Sequence, residues 1–176
     1  MDKVKISQQI AFLLRHKKDF TAKNGFVSTE KLIAEVQKQY PDFSKELLEE
    51  IVAEDNKQRY SFSKDHQQIR ANQGHSTGVQ IDFEVKMPPS VLYHGTAKHT
   101  LGKICKEGIK SMSRDYVQLS EEYDTAVTVG QRHGVPVVLK VDTVKMLNDG
   151  CVFRISENGV WLVPYVAPQY IEVFER

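Results

Sequence analysis

Six short segments stand out in the sequence, because most of them combine side chains that bind anions or exchange protons. They are Arg15-His16, Lys57-Gln58-Arg59-Tyr60, the run from Arg70 to Ser76, Tyr93-His94-Gly95-Thr96, Leu119-Ser120 and Gly130-Gln131-Arg132-His133-Gly134. Arginine presents a planar fork that stays charged and grips two phosphate oxygens at once, which lysine cannot do. Histidine titrates close to neutral pH and can donate a hydrogen bond or move a proton. These residue types are the ones that phosphate chemistry needs.

The common nucleotide-binding and metal-binding signatures do not occur in the sequence. There is no Gly-x-Gly-x-x-Gly after a predicted strand and no Walker phosphate loop, which argues against a Rossmann enzyme and a P-loop ATPase. Cys105 and Cys151 stand far apart, with neither a Cys-x-x-Cys motif nor a histidine at metal-ligand spacing beside them. We therefore expect neither a metal site nor a disulfide framework.

The composition narrows the possible classes of protein but does not indicate a function. The chain has 176 residues, 40% hydrophobic and 27% charged, which suits one compact body or two small lobes. Its formal net charge is only +1, so a nucleic-acid site would have to be a local patch. No apolar run approaches the roughly 20 residues that span a bilayer, and the start of the chain lacks the apolar core of a secretory signal. These features predict a cytoplasmic protein without a membrane partner.

The first half of the sequence predicts three helices followed by two short strands. Apolar residues recur at helical spacing from Ile6 to Leu14, so the first helix should end near Arg15-His16. Ser28 and Ser44 are predicted to cap the second and third helices. Two strands, residues 59–62 and 68–71, should then form a hairpin. Three helices followed by a hairpin is the order of a winged helix.

The character of the sequence changes at Met87-Pro88-Pro89-Ser90, which can continue neither a helix nor a central strand. We place a lobe boundary there, giving lobes of residues 1–87 and 88–176. The second lobe is rich in predicted strands, with one helix stopped by Gly108 and another opened by Ser120. Asn158-Gly159 predicts a tight hairpin turn. The predicted fold class is therefore α+β.

Taken in order, the polar segments resemble those of the RNA 2′-phosphotransferase family over almost the whole chain. The resemblance rests on Leu13-Leu14-Arg15-His16, Lys57-Gln58-Arg59-Tyr60, Gln73-Gly74-His75-Ser76, Tyr93-His94-Gly95-Thr96, Gly130-Gln131-Arg132-His133-Gly134 and Glu157-Asn158-Gly159-Val160-Trp161-Leu162. Any one string would be weak evidence, since short strings arise by chance. Six in register are a specific signal.

The resemblance implies an N-terminal winged-helix-like lobe that binds RNA, followed by an ADP-ribosyltransferase-like, β-rich lobe that binds NAD⁺. It implies a monomeric enzyme whose partner is RNA bearing an internal 2′-phosphate, similar to spliced transfer RNA. In the family reaction, that phosphate attacks the anomeric carbon of the nicotinamide ribose, and nicotinamide leaves. The adjacent 2″-hydroxyl then attacks the phosphorus, which releases 2′-hydroxyl RNA and ADP-ribose 1″,2″-cyclic phosphate. NAD⁺ is therefore consumed as a co-substrate.

The same resemblance implies a role for each candidate site residue. The phosphate-binding and catalytic set is Arg15, His16, Arg59 and Arg132. The NAD⁺-binding set is His94, Gly95, Thr96, Arg114, Gln118 and Ser120. The RNA-binding set is Arg70, Gln73, His75 and Ser76. Glycine at position 95 should let the backbone approach the nicotinamide amide. Gln118 departs from the family, which commonly has a histidine just before Leu-Ser.

Other conspicuous residues are expected to have ordinary structural roles. Trp161 and Tyr93 should be core aromatics, and Glu157 should be a turn residue before Asn158-Gly159. His66 lies in a polar turn and should be solvated.

Two other functions stay open at this point. The first is ADP-ribosyl transfer to a protein or to a terminal nucleic-acid phosphate, although a protein-directed transferase has no need of Arg15-His16 with Arg59. The second is a winged-helix nucleic-acid-binding module whose second lobe has lost catalysis. The Tyr93 to Thr96 segment and Arg132 argue against this second alternative.

Overall fold

The computed structural model describes residues 2–174, and the chain divides into two compact units. The first unit runs to Asp82 and the second begins at Phe83. This division lies before the predicted boundary at Met87, because strand β4 (Glu84–Val85) pairs with a strand of the second unit. Each unit mixes helices and strands, which agrees with the predicted α+β class.

Three helices of the first unit begin at side-chain caps. They are α1 (Lys3–His16), α2 (Thr29–Gln37) and α3 (Lys45–Ala53). The Ser28 hydroxyl accepts a hydrogen bond from the backbone N–H of Lys31, and Ser44 does the same for Leu47. Each cap satisfies an N–H that has no partner inside its helix, so both predicted caps are confirmed.

The sheet of the first unit has three antiparallel strands in the order β1-β3-β2. They are β1 (Val27–Ser28), β2 (Tyr60–Phe62) and β3 (Gln68–Ala71), so the predicted hairpin is confirmed. Tyr60 pairs with Ala71 in the register of β2 and β3. Arg59 and Asn72 therefore flank the open end of this hairpin. Helices and sheet share one core, whose fully buried members include Ile6, Ile10, Leu32, Val36 and Ile69.

Two sheets dominate the second unit. The first contains β4, β9 (Arg154–Ile155), β10 (Trp161–Val163) and β7 (Val117–Leu119), in that order. The second has the order β12-β8-β5 and contains β5 (Val91–Ala97), β8 (Pro136–Asp142) and β12 (Ile171–Phe174). A further pair is formed by β6 (Ile109–Lys110) and β11 (Tyr165–Val166). All these pairings are antiparallel.

Helices α4 (Leu101–Glu107), α5 (Tyr123–Gln131) and α6 (Thr143–Asn148) complete the second unit. Gly108 ends α4 at φ 78°, and Gly159 at φ 79° lies in the turn between β9 and β10, so both glycine signals are confirmed. The prediction that Ser120 opens a helix is wrong. Its backbone N–H and carbonyl both bond to Tyr93 at 2.8 Å, which keeps Ser120 extended, and α5 begins only at Tyr123.

No helix within residues 2–174 combines the length and apolar character needed to cross a bilayer.

Candidate functional site

In the first unit, the end of α1 is tied to the segment that follows β3. The His16 ring nitrogen Nδ1 and the Ser76 hydroxyl lie 2.7 Å apart in a hydrogen bond. The backbone N–H of Ser76 donates to the carbonyl of Arg15 at 3.0 Å. The structure thus brings together Arg15 and His16 from the predicted catalytic set with Ser76 from the predicted RNA-binding set.

Arg59 immediately precedes β2 and forms an ion pair with Asp55. The guanidinium Nη1 donates to one carboxylate oxygen, and the backbone N–H of Arg59 donates to the other at 2.7 Å. The Asp55 side chain is only 5% exposed, whereas that of Arg59 is 33% exposed. The carboxylate is thus covered by protein while the arginine still reaches solvent.

Arg15 and Arg59 both act electrostatically on Tyr60. Its hydroxyl donates to the backbone carbonyl of Ser7 at 2.8 Å. Burial raises the pKa of the Tyr60 phenol, while its second hydrogen bond, with the Ser7 hydroxyl at 3.2 Å, and the positive charges of Arg15 and Arg59 act in the opposite direction. Both guanidinium groups are therefore within electrostatic range of a single phenol.

A cleft of about 350 Å³ opens beside Arg59 and Tyr60, between α1 and the C-terminal end of α3. Its other lining residues are Lys3, Val4, Ser7, Gln8, Ala11, Ile51, Glu54 and Asp55.

The remaining predicted RNA-binding residues are largely packed inside the first unit. The Arg70 guanidinium lies 4.8 Å from the ring centroid of Phe26, in cation–π geometry. The His75 side chain is buried, and a β-carbon added to Gly25 would stand 3.0 Å from its Nε2. The side-chain oxygen of Gln73 is also buried. Arg70 and His75 thus have packing roles, and contact of these residues with RNA stays a prediction.

In the second unit, β5 carries His94, Gly95 and Thr96. The Nδ1 of His94 lies 3.1 Å from the carbonyl oxygen of Gln118. Because a carbonyl only accepts, Nδ1 carries the proton in this bond and Nε2 of the neutral ring keeps its lone pair. Burial lowers the pKa of His94; the Gln118 carbonyl opposes this shift, and the nearby His133 adds to it. His94 therefore presents a neutral acceptor at Nε2.

Helix packing requires glycine at position 95, and the approach of the backbone there to nicotinamide stays a prediction. A β-carbon at position 95 would stand 1.7 Å from the carbonyl oxygen of Ala126 in α5. One at Gly130, also in α5, would stand 2.7 Å from the carbonyl oxygen of Thr96. Strand and helix can approach this closely only because both positions lack a side chain. Helix packing thus accounts for Gly95 without invoking the nicotinamide amide.

This contact fixes the end of α5 beside the end of β5. Arg132 is the C-terminal cap residue of α5, two residues beyond Gly130. A β-carbon at Gly134 would lie 3.5 Å from Cβ of Ala97, the last residue of β5. Arg132 is exposed, and it makes no ion pair within residues 2–174. It is therefore well placed to meet an anionic ligand.

A pair of hydroxyls determines what Thr96 can offer a ligand. Thr100 donates its proton to the Ala97 carbonyl at 2.8 Å, so in the 2.7 Å contact between Thr96 and Thr100 the donor is Thr96. The Thr96 oxygen then keeps its acceptor capacity for a hydroxyl donor. A pocket of about 180 Å³ adjoins it, lined by His94, Thr100, Lys103, Ile104, Glu107, Gly108, Ile109, Lys110 and Met112.

Gln118 and Ser120 lie where the two main sheets meet. Strands β5 and β7 are edge strands of different sheets, and the bridge between Tyr93 and Ser120 joins them. Gln118 shares a sheet face with its partner Leu162, opposite to the core side chains of Val117 and Leu119. The structure therefore gathers His94, Gln118 and Ser120 at one point.

Arg114 lies in the connection between β6 and β7, where its backbone N–H donates to Ser111 at 3.0 Å. Burial lowers the pKa of its guanidinium and the charge of Asp115 opposes that shift. An arginine in this situation remains charged at neutral pH.

The residues assigned structural roles mostly have them. Trp161 is buried and its indole N–H donates to the Glu121 carboxylate at 2.8 Å, so its placement in the core is confirmed. Glu157 is exposed in the turn before Asn158-Gly159, as predicted. Tyr93 is only half-buried and contacts Tyr123 and Phe174 edge-on or tilted, so it is not a full core residue. The His66 side chain is 53% exposed, as expected for a solvated turn.

Sequence reasoning missed Asp55 and Thr100, which contact predicted site residues. Each stands four residues from its partner, Asp55 before Arg59 and Thr100 after Thr96. Neither pair lies along one helix, so helical spacing gave no signal for either. Within residues 2–174, no three His, Cys, Asp or Glu side chains form a group able to hold a metal ion.

Comparison with known proteins identifies the family. The profile described as "RNA 2′-phosphotransferase, Tpt1 / KptA family" matches residues 1–165. The chain belongs to the RNA 2′-phosphotransferase family. A relative from Fusobacterium nucleatum is 44% identical over 174 residues, covering 96% of this chain and 97% of the relative. Relatives from Acaryochloris marina and Escherichia coli O139:H28 are 40% and 43% identical and cover 94% of this chain and 93% of themselves.

All three relatives carry the name "Probable RNA 2′-phosphotransferase". The resemblance first seen in six short sequence motifs thus extends over nearly the full sequence, and the chain is a transferase of this family.

Proposed function

We propose that this protein removes an internal 2′-phosphate from RNA by transferring it to the ADP-ribose part of NAD⁺. The observation that carries the proposal is that one unit holds Arg15, His16 and Arg59, with His16 hydrogen-bonded to Ser76 and both arginines acting on Tyr60, in a chain that belongs to the RNA 2′-phosphotransferase family. Two guanidinium groups and an imidazole match the charge and geometry of a phosphate monoester.

The two units support a division of labour. Three helices followed by a β-hairpin, the order found in residues 2–82, is that of a winged helix, and we propose that this unit binds RNA. The second unit carries the candidate NAD⁺ residues where edge strands β5 and β7 meet, and we propose that it is the ADP-ribosyltransferase-like lobe.

The residues of the second unit fit a dinucleotide rich in hydroxyl groups. The Nε2 of His94 and the hydroxyl oxygen of Thr96 are both acceptors, so ribose hydroxyls can donate to them. Arg114 retains a positive charge that suits a pyrophosphate. We propose that NAD⁺ binds along His94, Thr96 and Gln118.

The first chemical step needs no general base. A phosphate monoester has a second pKa of about 6, so at neutral pH it is already largely a dianion and a ready nucleophile. A phosphate oxygen bonds to the anomeric carbon, and the glycosidic C–N bond breaks with its electron pair going to nicotinamide. The enzyme must then mainly hold the two reactants in line.

The second step builds charge on the phosphorus oxygens. The 2″-hydroxyl loses its proton as its oxygen bonds to phosphorus, the bond from phosphorus to the RNA 2′-oxygen breaks, and that leaving oxygen gains a proton. We propose that Arg15, Arg59 and Arg132 stabilise this charge, as positively charged groups do in phosphoryl transfer. His16, oriented by Ser76, is proposed to pass a proton in this step. We also propose that the enzyme acts as a monomer in the cytoplasm.

The test is incubation of the purified protein with NAD⁺ and an RNA oligonucleotide carrying one internal 2′-phosphate. We expect loss of the 2′-phosphate only when NAD⁺ is present, with nicotinamide and a cyclic-phosphate derivative of ADP-ribose appearing in equal amounts. A folded protein that leaves the RNA unchanged would refute the proposal. Transfer of ADP-ribose to a terminal phosphate would instead favour the alternative transferase activity.

A further inference from the structure

We infer that Asp55 is a positioning residue for the second step: its buried carboxylate holds Arg59 in the geometry that stabilises the reacting phosphorus. This inference rests on the proposed function of Arg59. It assigns a role to a residue that itself need not touch the RNA.

The carboxylate of Asp55 organises the whole turn that delivers Arg59. One oxygen accepts the guanidinium Nη1 of Arg59 and the backbone N–H of Lys57, the latter at 3.2 Å. The other oxygen accepts the backbone N–H of Arg59 at 2.7 Å. With 5% of its side chain exposed, Asp55 makes these bonds with little competition from water. It therefore fixes both the backbone and the charged end of one arginine.

The turn that precedes Arg59 has a rarely populated backbone conformation. Gln58 has φ 46°, in the left-handed region that residues other than glycine rarely occupy. Its N–H donates to the Asp55 carbonyl at 2.8 Å, and its own carbonyl accepts from the Asn72 side chain at 2.7 Å. The backbone N–H of Asn72 donates to the Arg59 carbonyl at 2.8 Å. Hydrogen bonds with Asp55 and Asn72 thus hold the turn in this conformation, and such held conformations are typical of functional sites.

Only part of the Arg59 guanidinium is used by this arrangement. Within residues 2–174, its hydrogen bonding is confined to the one from Nη1 to Asp55. A guanidinium has five N–H donors in a rigid fork. One edge is therefore fixed on the carboxylate while other donors stay available for phosphate oxygens.

Two possible effects of Asp55, its placement of Arg59 and its own negative charge, can be told apart. The negative charge of Asp55 repels a phosphate dianion bound at Arg59. If this charge were its only effect, the Asp55→Asn variant should bind RNA no more weakly than the wild type. As a positioning residue, Asp55 should instead act on the rate of the second step, because that step depends on accurate placement of charge.

The experiment compares Asp55→Asn with Asp65→Asn in single-turnover reactions on 2′-phosphorylated RNA, following the ADP-ribosylated RNA intermediate. Asp65 is a matched control, since it also bonds a turn of the same hairpin, accepting from the Ser63 hydroxyl at 2.6 Å and the Gln67 N–H at 3.1 Å. We expect Asp55→Asn to slow the second step by roughly tenfold to a hundredfold, with accumulation of the intermediate and no rise in KM for RNA. Asp65→Asn should match the wild type.

A double-mutant cycle with Arg59→Ala supplies the decisive readout. If Asp55 acts through Arg59, adding Asp55→Asn to Arg59→Ala should slow the second step no further. The inference is overturned if the effect persists in full on the Arg59→Ala background, if both steps slow equally, or if Asp55→Asn matches Asp65→Asn. Should Asp55→Asn fail to fold, Asp55→Glu replaces it: the longer carboxylate keeps the charge but displaces the guanidinium. The same selective slowing is then expected, and a wild-type rate would overturn the inference.

A wild-type protein that does not process the RNA refutes the proposed function itself, and the inference falls with it. A wild-type protein that is active, with an Asp55→Asn variant of equal second-step rate, refutes the positioning role alone.

Discussion

Replacing Gly130 with alanine should destabilise the second unit and disturb Arg132. The added β-carbon would stand 2.7 Å from the Thr96 carbonyl oxygen and 3.2 Å from Cβ of Pro136. A backbone oxygen cannot turn aside as a flexible side chain can, so strand and helix must separate by several tenths of an ångström. Inserting a methyl group into such a contact costs about 1–3 kcal/mol.

Gly102→Ala is the matched control, since Gly102 lies within α4 of the same unit and an added β-carbon there meets nothing within 4 Å. Alanine is favoured over glycine in a helix by about 1 kcal/mol at both positions, so this gain cancels when the two variants are compared. The difference between them should therefore be about 1–3 kcal/mol. For a chain of this size that corresponds to roughly 2–12 °C in Tm.

Thermal unfolding followed by circular dichroism measures this difference. A parallel single-turnover assay should show Gly130→Ala slower than Gly102→Ala at a temperature where both are folded, because Arg132 follows Gly130 by two residues. If Gly130→Ala unfolds at the same temperature as Gly102→Ala, the close contact of α5 with β5 does not constrain this position. The explanation given for both glycines would then be wrong.

Three further outcomes are expected. Arg132→Ala should slow the second step roughly a hundredfold to a thousandfold, equivalent to about 2.7–4 kcal/mol of lost charge stabilisation, and ADP-ribosylated RNA should accumulate on a gel; equal slowing of both steps would point to ground-state binding instead. Gln118→His should change turnover by less than roughly tenfold if this position only places the nicotinamide ribose, and a large gain that grows as pH falls through the imidazole range would show that a titrating group had been missing. Hydrogen bonds from Lys17 and Lys38 lower the pKa of Glu35 to about 2, so its stabilising effect is complete above the ordinary carboxyl pKa of 4.5 and disappears as pH falls towards 2. Glu35→Gln should accordingly lower Tm at pH 6 and change it much less near pH 2, and an equal change at both pH values would exclude this linkage.

Local signals in the sequence predicted local structure well. Ser28, Ser44, Gly108 and Asn158-Gly159 act within a few residues of themselves, and each does what its type and position indicate. Ser120 misled the prediction because its two backbone bonds go to Tyr93, a residue far away in sequence. A serine before two glutamates has the composition of a helix start, and only the pairing with β5 overrides it.

The candidate site was predictable as a set of residue types but not as an arrangement. The family pattern contains Arg15, His16 and Arg59, yet the roles of Asp55 and Asn72 in holding Arg59 depend on the left-handed turn at Gln58. Gly95 is also required by its close contact with α5, which is set by tertiary packing. The structural roles of such residues depend on contacts between segments that are distant in sequence. Composition and periodicity carry no information on those contacts.

The hydrogen bond that orients His94 has an acceptor that every amino acid possesses. Because Nδ1 donates to the main-chain carbonyl of Gln118, any residue at position 118 that preserves the strand also preserves the tautomer of His94. The side chain at position 118 can therefore be substituted during evolution without loss of the hydrogen bond that orients His94. Replacing Gln118 with alanine would leave this hydrogen bond intact, because its acceptor belongs to the backbone. An ester replacing the amide that follows Gln118 would weaken the acceptor and expose the dependence directly.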